Sequence, residues 1–272
     1  MSDYDQLATI YDLDLGNKTN DIPMYLRYAQ MQQSPILELA CGTGRLLLPL
    51  AKRGFEMYGV DNSPAMLEVA RQKIAKEENL IRGKIALVDA DMQDVGANPA
   101  SLLHGIKFNL VIIAFNSFLH LLTRPDQERT LGSIRELLSD NGALIIDIFA
   151  PHHHVLAQED DTQIYRHIRY DEATGKTYVR SDRVNRNLAE QTQDVEYVYD
   201  EIQEGGQIER TIRTVRTRFV FRYEMELLLE LAGYEIDELF GGYNRQRYDY
   251  HSGTMVFVAK KSNRPPGDRL YL

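Results

Sequence analysis

The chain has 272 residues, is 43% hydrophobic and carries a formal net charge of −9. At this length a folded chain buries roughly three quarters of its unfolded surface, so one large domain, or one domain carrying an insertion, is expected. The acidic balance argues against polyanion binding, which needs clustered Lys and Arg, and the single cysteine, Cys41, excludes an internal disulfide and a multi-cysteine metal site.

The opening MSDYDQLATIYD is acidic where a signal peptide is basic and then apolar. No apolar run approaches the ~18 residues that span a bilayer, so a soluble, non-exported, cytoplasmic protein is expected. From 36 to 150, short apolar runs alternate with helical patterns, as in a parallel sheet covered by helices. Strands are predicted at Ile36–Leu39, Glu56–Val60, Ile85–Asp89, Leu110–Ala114 and Ala143–Phe149, and helices at Arg45–Lys52, Pro64–Glu77 and Asp126–Leu138. Ser63 with Pro64 reads as a helix start, and Asn141-Gly142 as the place where a helix ends and a strand begins.

From Pro151 the texture changes to Tyr, Val, Ile and Thr alternating with charges, broken by DEATGK and EGGQ. This period of two predicts a four-stranded antiparallel meander. Residues 161–222 hold eleven Lys plus Arg against eleven Asp plus Glu, so the remainder carries the whole −9. A helix at Tyr223–Ala232 and strands at Tyr234–Phe240 and Thr254–Lys260 follow, and the tail SNRPPGDRLYL reads as irregular. The expected division is a Rossmann-like core over 1–150, a strand insertion over 151–221, and a last helix and two strands over 222–272.

The stretch ILELACGTGRLLLPLA is a strand, a glycine turn and a helix, which lets a ligand approach the main chain and offers it unpaired N–H groups. A P-loop signature is absent, and Leu47 stands where a dinucleotide fingerprint needs its third glycine. Asp61 ends the second predicted strand, 23 residues after Glu38, where a carboxylate can accept two ribose hydroxyls. ADMQD follows the third strand, and AFNSFLHLL follows the fourth without a basic group for phosphate. A ligand with adenosine at one end and no phosphate at the other satisfies all of these.

Together ELACGTG, VDNSPAML and ADMQD, in order and spacing, resemble the motifs of the class I S-adenosylmethionine-dependent methyltransferases, over Tyr4 to Lys261. Ala40 departs mildly from the pattern, standing where the first glycine often is. The opening YDQLATIYD, the FNSFLHLL segment and the strand-rich insertion resemble, within that family, small-molecule N-methyltransferases of the amino-sugar type. The resemblance implies an α/β fold, a seven-stranded methyltransferase sheet with the meander after its fifth strand. It also implies S-adenosylmethionine as cofactor, S-adenosylhomocysteine as product, and a small-molecule acceptor methylated on nitrogen or oxygen. A macromolecular methyltransferase or a non-catalytic binding protein of the same fold are the alternatives, and FNSF lacks the N-P-P-Y signature of amino-group nucleic-acid enzymes. No nucleic-acid or membrane partner is expected, and a homodimer is compatible.

Carried onto this sequence, the resemblance assigns Glu38, Ala40, Gly42 and Gly44 to the methionine end of the cofactor. It assigns Asp61, Asn62 and Met66 to the adenosine, and Asp91 and Met92 to the adenine. Tyr11 and Phe115, with Asn116 beside them, are candidates to face the sulfonium. His120 is the candidate to accept a proton or position the acceptor, with Tyr11 closing over the site. Arg216, Arg218, Arg245, Arg247, Tyr248 and His251 are candidates for acceptor binding, or for pairing with the insertion's own acids. His152 to His154 are adjacent and read as loop rather than as a metal site.

Overall fold

Alternation along the central strands sorts their side chains onto two apolar faces, because successive Cβ atoms of a strand point to opposite sides. In Ile36–Leu39 (β1), Leu37 and Leu39 join one core cluster and Ile36 the other. The computed structural model describes residues 3–15, 18–95, 102–172, 174–203 and 205–263. Two helices that sequence reading missed, Ala8–Leu15 (α1) and Ile22–Gln32 (α2), precede the sheet. Then come Leu47–Lys52 (α3), Met57–Asp61 (β2), Pro64–Ala75 (α4), the one-turn Asn79–Arg82 (α5) and Ile85–Asp89 (β3). Phe108–Ile113 (β4), a 3₁₀ turn at Ser117–His120, Arg124–Leu137 (α6) and Leu138–Phe149 (β5) complete the first half.

The helix starts follow from their caps. Ser63 accepts a hydrogen bond from the Met66 N–H at 3.2 Å with Pro64 at the first position of α4, and Thr123 does the same for Asp126 N–H at 3.3 Å with Pro125 in the first turn of α6. The expected stop at Asn141-Gly142 is corrected: α6 ends at Leu137 and β5 begins at once. β4 and β5 pair at Phe108↔Leu138 and again at Leu110↔Ala143, with a register shift that places Asn141-Gly142 in a bulge. A Cβ at Gly142 would lie 2.9 Å from the Phe108 carbonyl oxygen, so glycine permits that approach.

After His153–Leu156 (α7) come the four strands Ile164–Asp171 (β6), Lys176–Asn187 (β7), Thr192–Ile202 (β8) and Ile208–Arg218 (β9), which pair consecutively and antiparallel as the alternation predicts. Arg222–Leu231 (α8), Tyr234–Phe240 (β10) and Thr254–Lys261 (β11) return to the main sheet. That sheet has seven strands in the order β10-β11-β5-β4-β1-β2-β3, with β11 antiparallel to both neighbours. The expected methyltransferase sheet with a meander inserted after its fifth strand is the one adopted. Strand order reverses between β1 and β4, which opens a crevice at the carboxyl ends of those strands. The tail beyond residue 263 lies outside the described residues. Among the described residues no helix is long and apolar enough to cross a membrane.

Gly59 on β2 sets how closely α3 approaches the sheet: a Cβ there would sit 2.5 Å from Leu47 Cδ1 and 2.9 Å from Cys41 Sγ. Gly59→Ala is expected to cost about 1–3 kcal/mol by overpacking, read as a lower denaturant midpoint at unchanged slope.

Candidate functional site

β1 ends at Leu39, and the chain turns through Ala40, Gly42 and Gly44, at φ of 54°, 54° and 78°. Gly42 borders a cavity of about 330 Å³, and a Cβ built on it meets nothing within 4 Å, so the main chain there is open to a ligand. Gly44 does not line the cavity; a Cβ on it would touch Ala70 Cβ at 3.6 Å, and its place is in helix packing. Cys41 is buried, and burial raises its thiol well above the ordinary value, as fits a packing residue.

Asp61 ties this turn to the next one. Its Oδ2 accepts the Gly42 N–H at 2.7 Å and its Oδ1 the Ser63 N–H at 2.8 Å. Burial lifts the Asp61 carboxyl above its ordinary value, against the two N–H donors that favour the anion. Beneath the turn, Glu38 is 4% exposed and its Oε2 has no hydrogen-bond partner among the described residues. Burial pushes the Glu38 carboxyl from 4.5 to about 8, opposed by the Arg45 guanidinium. Arg45 is itself held by Asp21 through two bonds of 2.7 Å and by the Lys18 carbonyl at 2.8 Å.

On the facing wall, Phe115 and Asn116 follow β4 at φ of 55° and 66°, a conformation costly for residues with a Cβ. A buried carboxylate on β5 fixes them. Asp147 accepts the Phe115 N–H at 2.8 Å, the Tyr243 hydroxyl at 3.2 Å and the Tyr25 hydroxyl, while its carbonyl accepts the Asn116 N–H at 3.1 Å. Asn116 Oδ1 accepts the Phe149 N–H at 2.6 Å. Sequence reading missed Asp147; one acid within the apolar run ALIIDIF was the available signal.

The N-terminal segment covers the crevice through three acids. Asp5 accepts from Ser63 Oγ at 2.6 Å, and Asp12 accepts from Thr43 Oγ1 at 2.6 Å and from Lys73 at 2.9 Å. Asp14 reaches the meander, where it meets Arg180, His167 at 2.6 Å and the Tyr199 hydroxyl at 2.7 Å. The segment thereby sets Tyr4 and Tyr11 over the cavity, with Tyr4 Oη 3.2 Å from His120 Nε2 and the two rings edge-on at 5.2 Å.

Of the residues expected at the cofactor, Ala40, Gly42, Asp61, Asn62, Met66, Met92 and Phe115 line this cavity, with Tyr11, His120 and Arg216. Tyr4, Ala90, Ser117 and Leu122 line it as well and were not foreseen. Asp91 does not line it: its Oδ1 accepts the Gln93 N–H at 2.9 Å and its Oδ2 the Asn62 amide at 3.2 Å. Glu38 lies under the turn, outside the lining.

A second cavity of about 230 Å³ shares Tyr4, Tyr11, Phe115 and His120 with the first and continues to the meander, where Asn116 joins its wall. The arginine-rich segments foreseen for the acceptor are mostly engaged elsewhere. Arg218 pairs with Glu224 at 3.1 Å and lines neither cavity. Arg245 pairs with Glu238 at 3.1 Å, and Tyr248 lies under Arg222, 5.7 Å from its guanidinium carbon. Arg247, Tyr248 and His251 line neither cavity, because the β10–β11 loop sits at the sheet edge beyond β5. Arg216 reaches the first cavity, but its guanidinium is paired with Asp194 by two bonds of 2.6 Å. His152 caps α7 and His153 and His154 begin it, with His152 Nε2 2.5 Å from the Ser252 carbonyl oxygen.

Residues 36–142 match a family model described as a methyltransferase domain. In structure the chain is similar to the CcbJ methyltransferase of Streptomyces caelestis, with a TM-score of 0.79 at 24% identity, covering 96% of this chain and 98% of that one. In sequence it is similar to a glycine/sarcosine N-methyltransferase of Parasynechococcus marenigrum, 32% identical over 112 residues, 41% of this chain and 36% of that one. It is also similar to the dTDP-3-amino-3,4,6-trideoxy-alpha-D-glucopyranose N,N-dimethyltransferase of Streptomyces venezuelae, 26% identical over 147 residues, 52% of this chain and 56% of that one. The chain spans about half the length of the first curated relatives it matches.

Because Glu38 keeps its proton to about pH 8 when folded but loses it near 4.5 when unfolded, the folded state binds more protons between those values. Stability of the protein without ligand is therefore expected to fall as pH rises from 4.5 through about 8. Glu38→Gln should flatten that slope in thermal melts and raise the melting temperature at pH 8; an unchanged slope would discard this role for Glu38.

Proposed function

The chain carries a methyltransferase domain over residues 36–142 within a class I S-adenosylmethionine-dependent methyltransferase fold, and we propose that it transfers the methyl group of S-adenosylmethionine to a nitrogen or oxygen of a small molecule. The observation that carries this reading is the pair of contiguous cavities sharing Tyr4, Tyr11, Phe115 and His120. One lies over the glycine turn and the other against the meander, so two ligands can meet across one aromatic wall.

The residues present fit the cofactor. The orphaned Glu38 Oε2 offers a buried acceptor beneath the turn for an ammonium to reach through water, and Gly42 leaves the main chain open. Asp61 keeps lone pairs for ribose hydroxyls after accepting its two N–H groups. Ala90, Met92 and Met66 supply an apolar slot for a base. When bound, S-adenosylmethionine supplies an electrophilic methyl: the acceptor's lone pair forms the new bond to carbon as the carbon–sulfur bond breaks, leaving a neutral thioether.

The chain's own part is mostly to hold and orient. Tyr4 and Tyr11 line the cavity as aromatic rings that can meet a cation and exclude water, while Phe115, which lines it too, already has Lys18 Nζ 5.0 Å from its ring centroid. His120, oriented by Tyr4, stands where both cavities meet and can take the proton an acceptor gives up. Residues 151–221 shape the acceptor side. The names of the two curated relatives specify nitrogen as the methylated atom, in amino acids for one and in a dTDP-linked amino sugar for the other, which favours nitrogen here. The net charge of −9 favours a small molecule over nucleic acid as partner, and we place the protein in the cytoplasm.

Calorimetry should record binding of S-adenosylmethionine and none of NADH; the reverse would overturn the reading. Asp61→Ala is expected to weaken S-adenosylmethionine binding about 10- to 100-fold, the worth of hydrogen bonds to a charged group. His120→Ala should lower kcat about 100-fold with cofactor affinity unchanged, and full turnover in that variant would remove the proton-transfer role.

A further inference from the structure

We propose that the second cavity is the acceptor site and that it takes an amine bearing no phosphate, an inference that rests on the methyltransferase reading. Its floor is one face of the meander, set by the period of two. Tyr197 and Tyr199 of β8 stand opposite Arg213 and Thr211 of β9 and opposite Asp182 and Arg180 of β7, while Gln193 faces Thr217. Gln193, Thr217, Arg180 and Asp182 line the cavity with the two tyrosines.

The charges on that floor are already matched. Arg180 is the one guanidinium lining this cavity among the described residues, and it is 8% exposed. It donates to Asp14 and, at 3.0 Å, to Asp182, and its guanidinium carbon lies 4.4 Å from the Tyr197 ring centroid. Asp182 in turn holds Arg166 at 2.7 Å. Drawing Arg180 onto a phosphate would take its charge from two buried carboxylates, leaving Asp182 with Arg166 and Asp14 with His167 and Tyr199, a change that buried ion networks resist. In the adjoining cavity Arg216 is paired with both oxygens of Asp194, a more exposed pair than that of Arg180.

The other groups lining the cavity differ in kind. The rings of Tyr11 and Phe149, with Tyr4 at the border, can attract an ammonium or a methylated amine, while the Tyr197 ring already carries Arg180. Gln193, whose amide donates to Thr217 at 3.2 Å, and Thr217 itself can bond hydroxyl or amide substituents. An acceptor arriving as an ammonium gives one proton to His120 or to water, and its freed lone pair then forms the nitrogen–carbon bond while sulfur keeps the electron pair of the broken bond.

The test is transfer of labelled methyl from S-adenosylmethionine, by the wild-type protein, into a metabolite extract split into cation-exchange-retained and anion-exchange-retained pools. Label in the cation-exchange pool is expected. Label in the anion-exchange pool, removed from it by alkaline phosphatase with or without prior nucleotide pyrophosphatase, would overturn the phosphate-free acceptor and leave the methyltransferase reading standing. Label in neither pool would overturn both. Inorganic pyrophosphate titrated into the protein loaded with S-adenosylhomocysteine should give no binding heat, and saturable binding would overturn the inference. Val195→Trp, or Thr217→Trp on the neighbouring strand, should cut transfer about tenfold or more while cofactor affinity stays within about twofold; an equal loss of both would overturn the assignment of a separate acceptor cavity.

Discussion

One carboxylate bridges the two loops on which the cavity is built. Asp61 stands at the end of β2 and holds the Gly42 N–H of the turn after β1 and the Ser63 N–H at the start of α4. The positive φ of Ala40 and Gly42, the opening at Gly42 and the burial of Glu38 are all arranged around that bridge. Asp147 does the corresponding work across the crevice, where it stabilises the left-handed Phe115 and Asn116. Two buried acids on neighbouring halves of one sheet thus rigidify opposite walls, and each is lifted by burial yet satisfied by N–H or O–H donors.

The N-terminal segment has little reason to be helical by itself. α1 buries Ala8 and Asp14 but has no apolar stripe, so propensity and pattern leave its position open. Its placement comes from Leu7 and Ala8, buried with Met66, Tyr199 and Val215, and from Asp5, Asp12 and Asp14, each fastened to a different part of the molecule. Asp14 is the consequential one: by pairing with Arg180 it joins the N-terminal cover to the meander and spends the charge that an anionic acceptor would need.

The local signals that sequence reading used were those governed by near neighbours. Ser63 and Pro64 start α4 because the cap and the fixed φ act within one turn. The strands β6 to β9 were legible from alternation because one face of each contacts the rest of the protein. Asn141-Gly142 misled because the pair has turn chemistry but sits in a bulge created by register with β4, which is set by a distant strand. For Arg218, Arg247 and Tyr248, charge and aromaticity mark a residue as capable of binding, while Glu224, the sheet edge and Arg222 decide what it meets in this structure.

The sequence by itself determined the parallel core, the glycine turn, the carboxylate at the end of β2 and the exclusion of dinucleotide and P-loop ligands, since each depends on spacing within a single strand–turn–helix unit. Tertiary structure alone decided which face of the meander looks inward, that Tyr4 joins His120, and that Arg180 is committed to Asp14 and Asp182. The reason is separation: Tyr4 and His120 are 116 residues apart and Arg180 and Asp14 are 166 apart, so their meeting is dictated by the packing of whole elements rather than by any local pattern.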